Sequence, residues 1–324
     1  RLVRRAALPV STADTGGGLP LNVRAALASV ATALFLLVLK TWASIATGSV
    51  AMLGSLADTG LDLAASLVLL FSVRYAAMPP DEDHRFGHGK AESLAALFQV
   101  ALIAVSAALI AWRAVERLLK GAPVEQAESG IIVSVIAIIA TFGLVAYQKS
   151  IIRRTGSVAI EADNLHYQSD LLLNLSVIAA LVLDQYLGVG WTDPLFGVAI
   201  ALWLGWNAFR GASRAIDQLM DKEWPEEKRL AFIEVAHRHE ELKNLHDLRT
   251  RTSGNRDFAQ FHVDMPAKMT VAESHDIIHR VEDDLRAHFP DVEVLIHIDP
   301  EGHVDEPDNP LVEEDQFKKL EGSE

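Results

Sequence analysis

Leu56-Ala57-Asp58-Thr59-Gly60-Leu61-Asp62 and, farther along, Leu165-His166-Tyr167-Gln168-Ser169-Asp170 decide how this sequence is read. Each stretch lies inside a long apolar run, about Val50–Tyr75 and Asn164–Leu187. In each, two ionisable side chains stand four residues apart, so a helix carries both on one face, one turn apart. Ionisable groups at bilayer depth cost a few kcal/mol each. They persist when they bond to a neighbouring helix, line a watery cavity or hold an ion. One such residue fits a helix–helix hydrogen bond. Two acid-bearing pairs on separate helices, with no lysine or arginine in those helices at that depth, fit an ion site better. Three carboxylates would repel one another in a low dielectric unless a divalent ion, or protons in its place, neutralised them.

Asp58, Asp62, His166 and Asp170 together offer one imidazole nitrogen and three carboxylate oxygens. Four such donors suit a tetrahedron, which favours zinc over magnesium with six oxygens or calcium with six to eight. Cadmium and ferrous iron remain compatible with the donor set. Ligands must lose protons to bind metal, so this site suits the exchange of a divalent cation for protons across a membrane.

Working outward, six apolar runs approach the roughly 20 residues that a membrane helix needs. They are about Leu27–Ala46, Val50–Tyr75, Ser93–Leu119, Ile131–Tyr147, Asn164–Leu187 and Leu195–Ile216. Half of the 324 residues are hydrophobic, and the mean hydropathy is +0.20. These values exclude a purely soluble globule and intrinsic disorder. With six spans both termini share one side. Twelve basic residues, among them Arg24, Arg74, Arg153 and Arg214, fall on the terminal side, against Arg113, Arg117 and Lys120 on the other. By the positive-inside rule both termini are expected in the cytoplasm. Residues 1–20 lack an apolar core for a cleaved signal and are expected to be disordered.

The net charge is −14, and residues 301–324 alone carry −7, which reads as an acidic disordered tail. No basic stripe suits nucleic acid. Cysteine is absent, so thiolate metal sites and disulfides are excluded and any metal must use His, Asp or Glu. Between the tail and the six-helix region (21–220), residues 221–300 read as a soluble α+β domain in the order α-β-β-α-β. Trp224-Pro225 opens a helix to about His239. Asp247–Thr252 and Phe258–Met265 form a hairpin around Ser253-Gly254-Asn255, Thr270–Phe289 is a second helix, and Val292–Ile298 is a third strand.

Two further clusters invite metal. In the loop Asp81-Glu82-Asp83-His84-Arg85-Phe86-Gly87-His88, the side chains Asp81, His84 and His88 can converge; the alternative is a merely polar loop. The soluble domain holds eight of the twelve histidines. Of these His246, His262, His275 and His297, with Asp299, can gather at one sheet edge, where Asp299 can bridge two metals. His237, His239, His279 and His288 read as helix-surface residues. An enzyme would need a general base and an open metal position. The quartet leaves no spare acid nearby, so a non-enzyme is expected.

These stretches, Gly48–Asp62, Asp83–Glu92 (DHRFGHGKAE), Glu161–Asp170 (EADNLHYQSD), His246–Arg251 (HDLRTR) and Leu295–Pro300 (LIHIDP), resemble the cation diffusion facilitator (CDF) family in its bacterial zinc-transporting, YiiP/FieF-like type. The resemblance covers about Leu21 to Pro300. It implies a homodimer in the inner membrane, six spans per protomer and a ferredoxin-like, metallochaperone-like cytoplasmic domain. It further implies a transport site of Asp58, Asp62, His166 and Asp170, a loop site of Asp81, His84 and His88, and a binuclear site of His246, His262, His275, His297 and Asp299. Lys90 and Asp221 match a family charge pair linking the two domains. Ile298 stands where relatives often carry Gln and has no side-chain ligand atom. The function this implies is proton-coupled export of Zn2+, with Cd2+ or Fe2+ as alternatives, regulated by zinc in the cytoplasmic domain. The rival reading is a membrane zinc sensor that does not transport.

Overall fold

The computed structural model describes residues 19–47, 50–120, 131–187, 192–302 and 315–321. The expected N-terminal disordered segment therefore lies almost wholly outside the described residues. The chain divides into two compact units near Gln218.

The first unit is helical: α1 (Leu21–Thr47), α2 (Val50–Ala76), α3 (Lys90–Lys120), α4 (Ile131–Thr155), α5 (Val158–Leu187) and α6 (Thr192–Leu219). Among the described residues, five of these are long and apolar enough to cross a membrane. The exception is α5. Its 30 residues give about 45 Å of helix, but its first half carries Glu161, Asp163, His166 and Asp170.

Several helices outrun the apolar stretches that announced them. The fourth run ends in apolar sequence at Tyr147 and the fifth starts at Asn164, yet both helices continue to a tight corner at Gly156-Ser157. Gly156 adopts φ 64°, and its N–H donates to the Ile152 carbonyl at 2.8 Å. That left-handed ending is open to glycine without a Cβ clash. Ser157 Oγ then accepts from the Ile160 N–H at 3.4 Å, capping α5. So short a corner makes α4 and α5 antiparallel neighbours.

This unit is apolar outside and partly polar inside. Leu61, Phe71, Trp112, Leu202, Trp206 and Phe209 face outward, while Ser29, Gln99, Gln148, Asp163 and Asn164 are buried. A surface of this kind suits lipid rather than water. Small residues let the helices approach closely: a Cβ on Gly197 would lie 3.0 Å from Ala114 Cβ, and one on Gly211 would lie 3.1 Å from Val100 Cγ2.

The second unit contains α7 (Glu226–Ala236), β1 (Lys243–Ser253), β2 (Arg256–Met265), α8 (Val271–His288), β3 (Val292–Pro300) and α9 (Gln316–Glu321). The strands form one sheet in the order β1-β2-β3. β1 and β2 are an antiparallel hairpin closed at Ser253↔Arg256; β3 runs parallel to β2 after the α8 crossover. Phe232, Leu245, Phe261, Val281 and Leu285 form the core. Buried Trp224 ties the start of α7 to β1: its N–H donates to Thr250 Oγ1 at 2.9 Å and its indole N–H to the Arg251 carbonyl at 3.2 Å.

The reading of 301–324 as a disordered tail does not hold for Gln316–Glu321. These residues form α9 and bury Phe317 against the domain core. The charge count hid a short apolar pattern, Phe317 and Leu320, spaced for one helical face.

Candidate metal centres

The membrane-unit cluster is built by α2 and α5. The four-residue spacing brings His166 and Asp170 onto one side of α5, and α2 presents Asp62 to them. His166 Nε2 lies 3.0 Å from Asp62 Oδ1 and 3.8 Å from Asp170 Oδ2. One ligand atom from each of the three residues lies within 4.8 Å of the others. All three side chains are partly buried, at 23%, 14% and 34% exposure for Asp62, His166 and Asp170. Asp58 sits one turn before Asp62 on α2, is exposed, and is not among the converging atoms.

Two features here escaped the sequence reading. Lys40, from α1, donates to Thr59 Oγ1 at 2.7 Å, three residues before Asp62. A cation therefore does stand near α2, supplied by a third helix. Asp163, three residues before His166, is fully buried. Its Oδ2 accepts from Ser29 Oγ at 2.6 Å and Gln148 Nε2 at 2.7 Å, and its Oδ1 accepts from Gln99 Nε2 at 3.5 Å. One carboxylate thus joins α1, α3, α4 and α5. Tyr167 extends the network, within 3.0 Å of Ser66 Oγ and donating to the Ser29 carbonyl at 3.3 Å. Four buried polar residues on separate helices were the available signal, but only the packing pairs them.

The loop after α2 folds around Asp81. Its Oδ1 accepts from the backbone N–H of Asp83 at 3.0 Å and of His84 at 2.6 Å. These bonds, the His84 amide foremost, hold its carboxyl below the ordinary value, and the His88 and His84 imidazoles add to the effect. His84 Nδ1 is 3.3 Å from Asp81 Oδ1, and His88 Nε2 is 3.2 Å from Asp81 Oδ2. Gly87 at φ 79° turns the chain, which brings the two imidazoles to 4.6 Å between centroids. His88 is buried, and its Nδ1 has no hydrogen-bond partner among the described residues.

In the second unit, Asp299 is the hub. His262 Nδ1 lies 2.8 Å and His246 Nε2 3.7 Å from its Oδ2, and His297 Nε2 lies 3.5 Å from its Oδ1. The sheet explains this. His262 and His297 are direct partners in the β2–β3 register, and His246 pairs with His262 across β1–β2. Irregularities in β1 flank His246, with Asn244 at φ 50° and Asp247 at φ 49°; such bulges re-aim a side chain. His246, His262 and Asp299 bring ligand atoms within 4.8 Å of one another. His275 lies apart, on the exposed side of α8, with its ring 6.2 Å from that of His279. His239 and His288 face Asp284, at 3.1 Å and 3.3 Å, and His279 faces Asp283 at 3.1 Å. His237 packs on Phe317, at 4.7 Å between ring centroids.

Asp221 has φ 56°, and its Oδ1 lies 3.6 Å from Arg251 Nη1 within this unit. Ile298, on β3, is 36% exposed. The three imidazoles and one carboxylate of this cluster are a donor set that fits zinc, and Ile298 adds no ligand atom to it.

The comparisons with known proteins agree with this division of the chain. Residues 26–220 match the cation efflux transmembrane domain, and residues 224–301 match the cytoplasmic domain of cation efflux proteins. The cation-efflux pump FieF of Shewanella oneidensis is 46% identical over 273 residues, 84% of this chain and 92% of that protein. FieF of Cronobacter sakazakii is 40% identical over 277 residues, 86% of this chain and 92% of that protein. The metal-bound C-terminal domain of the CzcD transporter from Thermotoga maritima aligns with 25% identity over 25% of this chain and 99% of that one, with a TM-score of 0.24. The chain belongs to the cation diffusion facilitator family, and it is a cation efflux transporter.

Proposed function

We propose that this chain is a proton-coupled antiporter that exports Zn2+ from the cytoplasm, works as a homodimer in the inner membrane, and is regulated by zinc in its cytoplasmic domain. The observation that carries this reading is the convergence of Asp62, His166 and Asp170 from two helices of a unit whose outward face is apolar. One nitrogen and two or more carboxylate oxygens favour zinc or a similar ion over oxygen-seeking magnesium and calcium. Asp58, one turn from Asp62 on the same helix, is the candidate fourth donor. Because these groups must be deprotonated to bind metal, protons that reach them from the other side displace it. Alternating access around a site fixed between helices then makes the exchange vectorial.

The topology in this reading places α1–α6 across the bilayer and both termini in the cytoplasm, following the distribution of basic residues. In the second unit, His246, His262, His297 and Asp299 would hold the regulatory zinc. There Asp299 orients three imidazoles, and the strand register keeps two of them side by side. The loop residues Asp81, His84 and His88 would hold a further ion.

The test is flux in sealed vesicles containing the purified chain. Zinc uptake should follow an imposed pH gradient and fall to the background of empty vesicles for Asp62→Ala. Zinc binding without flux would make the protein a sensor, and flux indifferent to the pH gradient would remove the proton coupling.

A further inference from the structure

On the side of α5 turned away from the metal cluster, α3–α6 enclose a cavity of about 290 Å³. We propose that it is a binding site for an anionic phospholipid, seating the phosphate headgroup and the first part of an acyl chain. The proposal rests on the reading that this end of the helices lies at the cytoplasmic leaflet.

The two faces of α5 are distinct. Glu161, Leu165 and Gln168 line the cavity, whereas His166 and Asp170 belong to the metal cluster. At 3.6 residues per turn the two sets point to roughly opposite sides of the helix. The site is therefore separate from the metal cluster.

Its charge is cationic. Lys149 and Arg153 of α4 and Arg214 of α6 line it, with Glu161 as its one acid. Arg214 Nη2 pairs with Glu161 Oε1 at 2.9 Å. Lys149 and Arg153 have no carboxylate partner among the described residues. They stand four apart on one helix, a like-charge spacing that costs stability unless an anion intervenes. Such a lining repels metal ions and attracts phosphate.

The lining also changes character with depth. Arg214 and Trp203, both on α6, are separated by about 16 Å along the helix axis. Along α6 the lining runs from Arg214 through Asn207 to Trp203, and along α5 Asn164, Leu165 and Gln168 follow Glu161 away from the basic rim. The amides of Asn164 and Gln168 are partly committed to each other and to Gln148, and Asn207 Nδ2 donates to the Trp203 carbonyl at 2.7 Å. Along α6, cation, amide and aromatic ring follow in the order in which a phospholipid presents phosphate, ester and acyl chain. A soluble phosphate would use only the rim, so the apolar groups beyond it, Leu165 and Trp203, select a lipid. Basic pockets between membrane helices on the cytoplasmic side recognise anionic headgroups in this way.

The experiment is native mass spectrometry of the full-length chain in detergent, titrated with phosphatidylglycerol and phosphatidylcholine of identical acyl chains. The wild type should bind phosphatidylglycerol in preference. Lys149→Gln with Arg153→Gln should weaken that binding about thirtyfold and leave phosphatidylcholine unchanged. Arg154→Gln with Arg210→Gln removes as much charge outside the cavity and should leave both affinities within about twofold of wild type. Inorganic phosphate should not displace the bound lipid. Equal binding of the two lipids, equal loss in both double variants, or displacement by phosphate would overturn the proposal. The readout does not involve zinc, so failure of transport in vesicles and failure of lipid binding are told apart.

Discussion

The cluster between α2 and α5 and the cluster on the sheet use the same chemistry, histidine against aspartate, on different supports. In the membrane unit the donors come from helices whose backbone hydrogen bonds are all internal, so only side-chain packing sets the distance from Asp62 to His166. In the soluble unit His262 and His297 sit opposite each other on hydrogen-bonded strands, and Asp299 follows two residues later on β3. Helix tilting would change the first spacing without breaking a backbone hydrogen bond, whereas the His262–His297 spacing is tied to the ladder. Under the proposed function one cluster passes an ion and the other keeps it, and donor identity alone does not separate them. The support does.

The sharpest way to break this comparison is to remove one donor from each. Asp62→Ala is expected to abolish zinc flux in vesicles, because the proposed transport site loses a charged ligand. His262→Ala is expected to lower zinc binding by the full-length protein, measured by metal counting, while flux falls only severalfold. Loss of flux to background in both variants would mean that the two clusters act as one pathway.

A smaller effect concerns choice of metal. His166 supplies the one nitrogen donor of the membrane cluster, and nitrogen favours zinc over manganese. His166→Asp should keep measurable flux and raise the ratio of manganese to zinc transport. An unchanged ratio would move the selectivity to other groups, with Lys40 the first to examine because it reaches Thr59 on α2.

How much of this was legible in the sequence follows the same division. Asp62, His166 and Asp170 could be read because ionisable residues in apolar runs are conspicuous, and the i,i+4 spacing states which face they share. The spacing could not state whether Asp58 turns toward α5, since that depends on the rotation of α2. On the sheet, alternation placed His262 and His297, but His246 reaches Asp299 through two irregularities with positive φ at Asn244 and Asp247, non-glycine residues that local patterns do not flag. His275, grouped with these residues at the sheet edge and by the family resemblance, is exposed on α8 and is not among the converging atoms. Asp163 went unassigned because its partners Ser29, Gln99 and Gln148 are single polar residues scattered over three other helices.

That buried network sets the next prediction, which asks whether the helical support has a rigid part. Removing the Asp163 carboxyl leaves Ser29 only the Ala25 carbonyl at 3.2 Å and Gln148 Nε2 only Ser29 Oγ at 3.0 Å as acceptors, a cost of about 1 kcal/mol. Asp163→Leu should lower the thermal midpoint of the full-length protein in detergent, and Asp163→Asn, which keeps an acceptor oxygen, should recover most of the loss. Equal midpoints for the two variants would deny the network a structural role.

The smallest effect probes the rigid support at the helix that covers it. α8 begins with a reciprocal cap: Thr270 Oγ1 accepts from the Glu273 N–H at 3.3 Å, and Glu273 Oε2 accepts from the Thr270 N–H at 2.8 Å and from its hydroxyl at 2.7 Å. The Thr270 backbone bond, followed by the hydroxyl bond, holds the Glu273 carboxyl below its ordinary value. A carboxyl depressed by folding adds stability that is present above its unfolded value and fades as pH falls through the folded one. Glu273→Gln should therefore reduce hydrogen-exchange protection of the first-turn amides of α8 at neutral pH. The ratio of wild-type to variant protection, taken at equal pH so that intrinsic exchange cancels, should approach one below the usual glutamate range. If that loss of protection spread to the β2 and β3 amides that carry His262 and His297, the strand-borne cluster would owe its spacing to α8 as well as to the ladder, and the contrast with the helical site would narrow.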